Sequence, residues 1–278
     1  MKFTKMHGLG NDFVMVREED LPLGVGLSDL AIQVCDRHFG IGADGLIVAC
    51  PSQTADIRMR IINADGSEAE MCGNGIRCFA RYVYETGMVP KTDMTVETLA
   101  GEMGPVLHVK NGMVTGVTVD MNELHLSGRD IPVDSDRNPV VGEKLDVEGE
   151  EVEVTCVSMG NPHCVVFVED VASAPVAVLG PLLESHPFFP SRTNVEFVQV
   201  VNEHDLIMRV WERGAAETLA CGTGACAALV ASNLNGLAHR HATVHLAGGD
   251  LQIRWNRADN HVTMTGPALN VFEGHYRV

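Results

Sequence analysis

A chain of 278 residues has room for two moderate domains, and 45% hydrophobic with 21% charged residues favours a buried core over disorder. The 37 acidic against 20 basic residues leave a formal charge of −17, which excludes the cationic surface needed to grip duplex DNA or an anionic membrane face. Aromatics at 5% argue against stacking on single strands, so neither a nucleic acid nor a membrane is an expected partner.

No apolar run approaches the roughly 20 residues of a spanning helix. The start, Met1-Lys2-Phe3-Thr4-Lys5-Met6-His7-Gly8, lacks the apolar core and cleavage site of a signal peptide. Eight cysteines without a C-x-x-C pair read as reduced thiols of a cytoplasmic protein, with zinc and thioredoxin motifs absent.

In chain order, Ser28 is placed to cap a helix over 28–39 that Gly40 stops. Residues 57–61 alternate as a half-buried strand should. A helix is predicted from Asn74 through Cys78, Phe79, Tyr82 and Val83, ending at Gly87. Segments 106–110 and 113–117 flank Asn111-Gly112, which suits a type I′ hairpin turn. Residues 122–153, rich in Asp, Glu, Gly and Pro, read as a crossing segment with exposed hairpins. Further strands are predicted over 152–157, 165–168, 195–200 and 206–211. A second helix starts at Thr223 and ends at Gly236, and its apolar run from Ala225 to Ala231 predicts burial on all sides. The many antiparallel hairpins argue against a doubly wound parallel sheet.

The chain also echoes itself. Cys72-Gly73-Asn74-Gly75 returns as Cys221-Gly222-Thr223-Gly224 at an offset of 149, with Glu68 and Glu217 four residues before each cysteine. Gly10-Asn11 returns as Gly160-Asn161 at an offset of 150. Two matches at nearly one offset predict two homologous halves.

A cysteine before Gly-x-Gly at a helix start faces unpaired backbone N–H groups and the positive end of the helix dipole. Both are expected to lower the thiol pKa, and the glycines let the backbone approach a small carboxylate. Duplication would set two such thiols on opposite sides of one cleft. Inversion of a carbon centre needs that pairing, one group taking a proton from one face while the other supplies it to the opposite face. Cys35, Cys50, Cys156 and Cys164 read instead as small hydrophobes, as do Cys78 and Cys226 within the helices.

Five blocks carry a family resemblance: Met6-His7-Gly8-Leu9-Gly10-Asn11-Asp12-Phe13, Asn63-Ala64-Asp65-Gly66-Ser67, Cys72-Gly73-Asn74-Gly75, Ser158-Met159-Gly160-Asn161-Pro162-His163-Cys164, and Glu212-Arg213-Gly214 through Cys221-Gly222-Thr223-Gly224. From end to end the chain resembles the diaminopimelate epimerases, enzymes of lysine and peptidoglycan precursor synthesis that work without pyridoxal phosphate. The resemblance implies an α+β fold of two pseudo-symmetric β-rich domains, each a curved, mainly antiparallel sheet around a central helix. Residues 1–120, completed by 266–278, form the half with Cys72, and residues 121–265 the half with Cys221. The resemblance further implies diaminopimelate as the small-molecule substrate, no cofactor, no metal, and a homodimer.

Carried over by position, Cys72 and Cys221 resemble the catalytic base and acid. Backbone groups of Gly73, Asn74, Gly222 and Thr223 resemble the carboxylate cradle. Asn11, Asn63, Asn161, Asn194, Glu212 and Arg213 resemble the substrate-binding set, and His163 and Glu212 the groups that adjust the cysteine protonation. Two positions depart from the family. Gly45 stands where many members place a substrate-holding glutamine, and Phe272 where the dimer interface commonly has a tyrosine.

Two rivals remain at this point. One is a proline racemase or hydroxyproline epimerase activity on the same fold, though Arg213 with Asn63 and Asn194 suits a longer, two-headed amino acid. The other is a thiol redox or metal-binding module, which the spacings Cys72/Cys78 and Cys221/Cys226 disfavour by placing each pair on different helix faces. The five lysines, Lys2, Lys5, Lys91, Lys110 and Lys144, lie outside the glycine-rich blocks, which disfavours a Schiff base.

Overall fold

The structure, a computed structural model, describes residues 1–277. It divides into two compact units, one of Met1–Asp120 with the segment from Thr265 onward, the other of Met121–Met264. The first holds β1 (Lys2–Gly8), β2 (Asn11–Arg17), α1 (Leu27–Cys35), β3 (Gly45–Cys50), β4 (Ile57–Asn63), β5 (Glu68–Ala69), α2 (Gly73–Glu85), β6 (Val96–Thr98), β7 (Gly101–Met103), β8 (Val106–Lys110) and most of β9 (Met113–Glu123), whose last three residues belong to the second. The second follows with β10 (Glu143–Val147), β11 (Glu150–Ser158), β12 (Pro162–Phe167), α3 (Val176–Glu184), β13 (Asn194–Asn202), β14 (Asp205–Glu212), β15 (Ala216–Thr218), α4 (Gly222–Leu234), β16 (His241–Leu246), β17 (Gly249–Trp255) and β18 (His261–Gly266). Strand β19 (Leu269–His275) returns to the first unit.

The sequence echo is written into the topology. In the first unit the strands run β19-β1-β2-β3-β4-β6-β7, with β5 against β4; in the second β10-β11-β12-β13-β14-β16-β17 repeats that order, with β15 against β14. The parallel pairs also correspond, β2–β3 and β4–β6 matching β12–β13 and β14–β16, so each mainly antiparallel sheet is locally mixed. Register is kept as well: Phe13 lies opposite Gly45, and His163 opposite Asn194.

Each unit closes on its own helix. Strand β3 is buried along its whole length because α1 and α2 both pack on it, which is why Gly-Leu-Ile-Val-Ala-Cys shows no alternation. Helix α4 contacts β11, β12, β13, β14, β16 and β17, so strands surround it and its apolar run is buried as predicted. The glycines past the two helix ends, Gly87 and Gly236, take φ of 73° and 72°, the left-handed conformation that side chains resist. Asn111 and Gly112 both have positive φ, as a type I′ turn requires.

Two local expectations need correction. Helix α1 begins after Gly26 and stops at Cys35, so Ser28 sits inside the first turn and does not cap it. Asp36 ends it early by accepting from the amides of His38 and Phe39. Gly40 is required for a different reason: a Cβ there would lie 2.3 Å from the Gln33 carbonyl. The crossing segment is also less exposed than its composition implied. Ile131 and Val140 are fully buried in the second core with Leu145, Val154 and Phe197. Among the described residues no helix is long and apolar enough to cross a membrane.

One buried ion pair anchors the first sheet. Lys5 on β1 is 5% exposed, lies 2.5 Å from Asp12 and donates to the Gly42 carbonyl. Arg37 bridges Asp12 and Asp44 from outside, at 2.8 and 2.7 Å. Burial works to raise the Asp12 carboxyl, but hydrogen bonds and charge from Arg37 and Lys5 outweigh it and hold it at about 2. A depressed carboxyl contributes stability above its unfolded value near 3.8 and loses it as pH falls toward 2. Asp12→Asn, which strands a buried ammonium, is therefore expected to cost about 3 kcal/mol at pH 7. In urea titrations that deficit should shrink toward zero between about pH 4 and 2; a pH-independent deficit would contradict the ion pair.

Candidate active site

Each repeated cysteine is the N-cap of its unit's central helix. Cys72 has φ −143° and ψ 120°, and its Sγ accepts from the Gly75 amide at 3.4 Å. Cys221 has φ −121° and ψ 115°, and its Sγ accepts from the Gly224 amide at 3.4 Å. A thiol here takes the place that Ser, Thr or Asp usually fills, so the sulfur is aimed at the positive end of the helix. The first-turn amides, contributed by Gly73 and Asn74 or by Gly222 and Thr223, have no acceptor within the helix and suit an incoming carboxylate.

The duplicated glutamates now have a role that sequence reading left open. Glu68 on β5 takes a two-pronged pair from Arg60 on β4, at 2.8 and 2.9 Å. Glu217 on β15 takes the same from Arg209 on β14, at 2.7 and 3.1 Å. Each clasp ties down the short strand that delivers the chain to its cysteine.

In the first unit, Asn11 opens β2 and Asn63 closes β4, while Cys72, Gly73 and Asn74 form the start of α2. Asn11 donates its amide to Asp44 at 2.7 Å, and its Oδ1 accepts from Cys72 Sγ at 3.6 Å and from Asn74 Nδ2 at 3.3 Å. Asn63 donates to Ser67 Oγ at 3.0 Å. Gly45 faces Asn63 across the ladder; a Cβ there would stand 3.1 Å from the Ile62 carbonyl, so the backbone leaves little room for a side chain. Sequence reading missed Arg77, which is fully buried and donates to Gly73 O at 3.1 Å and to Asn74 Oδ1 at 2.9 Å. Its position one turn beyond the cysteine, inside an apolar helix face, was the available signal.

In the second unit, Cys221, Gly222 and Thr223 are joined by Asn161, His163, Asn194 and Glu212. His163 is fully buried between Asn161 Oδ1, 2.9 Å from Nε2, and Glu196 Oε1, 2.7 Å from Nδ1. Asn161 donates to Thr223 Oγ1 at 3.5 Å, and that hydroxyl lies 3.5 Å from Cys221 Sγ. Asn194 is 4% exposed, donates to the Pro162 carbonyl at 2.9 Å and accepts from the Arg213 amide at 3.0 Å. Glu212 accepts from Thr218, and the Arg213 guanidinium donates to Ser191 O at 3.1 Å, so these neighbours do not pair with one another. Glu196 was missed because, within β13, it reads as one polar residue in an alternating strand.

The expected lowering of both thiols fails at Cys221. Burial pushes it well above an ordinary thiol, and the nearby Glu212 and Glu196 add to that. Hydrogen bonds from Thr223 and Gly224 oppose the rise without cancelling it. Burial also lifts Cys35 and Cys78 to about 12, consistent with their reading as packing residues.

A model of the family described as diaminopimelate epimerase matches residues 3–126 and 155–271. The chain belongs to the diaminopimelate epimerase family. The diaminopimelate epimerase of Moorella thermoacetica is 60% identical over 276 residues, covering 99% of both chains. Among solved structures, a PhzF-family phenazine biosynthesis protein of Bacillus anthracis superimposes with a TM-score of 0.72 at 17% identity, covering 100% of this chain and 99% of that one. A probable proline racemase of Agrobacterium radiobacter K84 gives 0.68 at 16% identity, covering 100% and 93%. At such identities the likeness is one of fold alone.

Proposed function

We propose that this chain interconverts LL- and meso-diaminopimelate by proton transfer at one α-carbon, with Cys72 and Cys221 as base and acid exchanging roles with direction. The reading is carried by family membership over nearly the whole chain together with two thiols that each cap a helix start. A thiol at a helix N-terminus stands beside amides suited to the carboxylate attached to the reacting carbon, so charge developing on that carboxylate meets fixed N–H dipoles. In this scheme Gly73, Asn74, Gly222 and Thr223 cradle the reacting carboxylate. Asn11, Asn63, Asn161, Asn194, Glu212 and Arg213 hold the remaining heads, and His163 and Glu212 bias the protonation of Cys221. No cofactor is required by this scheme.

The proline racemase likeness is shared at 16% identity, against 60% with a diaminopimelate epimerase, so the longer substrate is favoured. A homodimer is part of the same proposal. The edge strand β19 leaves Val271 and Phe272 exposed, with Phe272 meeting Phe3 edge-on at 5.8 Å, an apolar strip suited to a second copy. A cytoplasmic setting accords with eight free cysteines.

In deuterated water, LL-diaminopimelate is expected to gain deuterium at one α-carbon while meso-diaminopimelate accumulates. Proline and hydroxyproline should exchange at background rates. Exchange of proline, with diaminopimelate untouched, would reverse the assignment.

A further inference from the structure

Directly behind the two cysteine turns the halves differ at a matched pair of positions. Phe13 and Ile47 pack behind the Cys72 turn, where a Cβ on Gly75 would lie 3.1 Å from Ile47 Cδ1 and 3.5 Å from Phe13 Cζ. The matching positions behind the Cys221 turn are His163 and Glu196, and a Cβ on Gly224 would lie 2.7 Å from Glu196 Oε1. The fold therefore tolerates an apolar pair here, yet the second unit buries an imidazole and a carboxyl completely. Burying polar groups is costly, and Glu196 Oε2 has no hydrogen-bond partner among the described residues.

The consequence is read at the two asparagines. Asp44 accepts only, so Asn11 must give it the amide NH2 and turn its carbonyl oxygen to Cys72. On the other side Asn161 turns its Oδ1 to His163 Nε2 at 2.9 Å, and an amide oxygen only accepts, so Nε2 carries the hydrogen of that bond. A second hydrogen then lies between Nδ1 and Glu196 Oε1, which are 2.7 Å apart, and the Asn161 NH2 is turned to Thr223 and the Cys221 turn. The Cys72 turn thus meets an acceptor where the Cys221 turn meets a donor.

We propose that Glu196 is a positioning residue that, through His163, sets the polarity of Asn161 and makes the Cys221 half-site chemically distinct from the Cys72 half-site. The inference rests on the two-thiol reading above, but its geometry lies entirely within the second unit. Glu196 is the member of the pair that touches the Gly224 turn, so its negative end also favours the protonated Cys221.

Two variants test this. In Glu196→Gln, the pH midpoint for alkylation of Cys221 by iodoacetamide, read by peptide mass spectrometry, should fall by about one unit or more. The Cys72 midpoint should stay in place. In the double variant H163F/E196I, which copies the first half's apolar pair, the thermal midpoint should be equal or higher because a buried polar pair is replaced by packing. Its kcat should nevertheless fall on the order of 10²-fold. An unmoved Cys221 midpoint, or a double variant with wild-type kcat, would overturn the proposal. Alkylation needs no substrate, so a Cys221 shift in a protein inactive on diaminopimelate would sink the substrate reading and leave this inference standing.

Discussion

Replacing Cys72 or Cys221 by serine is expected to lower turnover by about 10³-fold or more in both directions, a loss in the range of a missing acid–base group. A hydroxyl ionises far above a thiol, so it cannot serve as the base. Because each sulfur is acid in one direction and base in the other, removing either stops inversion both ways. Serine is also the informative choice structurally. Both sulfurs cap helices by accepting from Gly75 and Gly224, and serine is among the best N-cap residues, so α2 and α4 should keep their starts. Initial rates from each epimer, beside unchanged circular dichroism, make the measurement. A serine variant with more than about a tenth of wild-type activity would rule out the two-thiol scheme.

The second large effect is expected at Gly224. An added methyl would stand 2.7 Å from the fully buried Glu196 Oε1 and 3.3 Å from the buried Cys221 Sγ, both with little freedom to retreat. Gly224→Ala should therefore displace the sulfur or the carboxyl, costing roughly 1–3 kcal/mol in stability and about 10²-fold in kcat. Gly75→Ala is the matched control. Its nearest obstacle is a methyl of Ile47 at 3.1 Å, which has a rotatable bond with which to give way. The first unit's variant should lose several-fold less activity, measured by kcat and by urea midpoints for both. Equal effects at the two glycines would mean that the Glu196 contact is incidental.

Several features were legible in the residue string because they depend on short spacings. The Asn111-Gly112 turn needs two positive φ values, and Asn-Gly is the cheapest way to supply them. The start of α2 and α4 after Cys72 and Cys221, their ends before Gly87 and Gly236, and the burial of α4 follow from capping, glycine and the uninterrupted apolar run. The repeat was visible because duplication preserved its offset, and the matching strand order is its three-dimensional form. The end of α1 escaped because Asp36 competes for backbone amides, a choice that composition alone leaves open.

The amino-acid order by itself determined the family, the two-fold repetition and the placement of a cysteine at each helix start, all consequences of local pattern. Only the folded chain decided what stands behind each sulfur: an apolar pair behind Cys72, and His163 with Glu196 behind Cys221. Those contacts join strands and helices far apart in sequence. Burial, which governs whether a thiol favours its charged or neutral form, is a property of the packed neighbourhood and not of the residue.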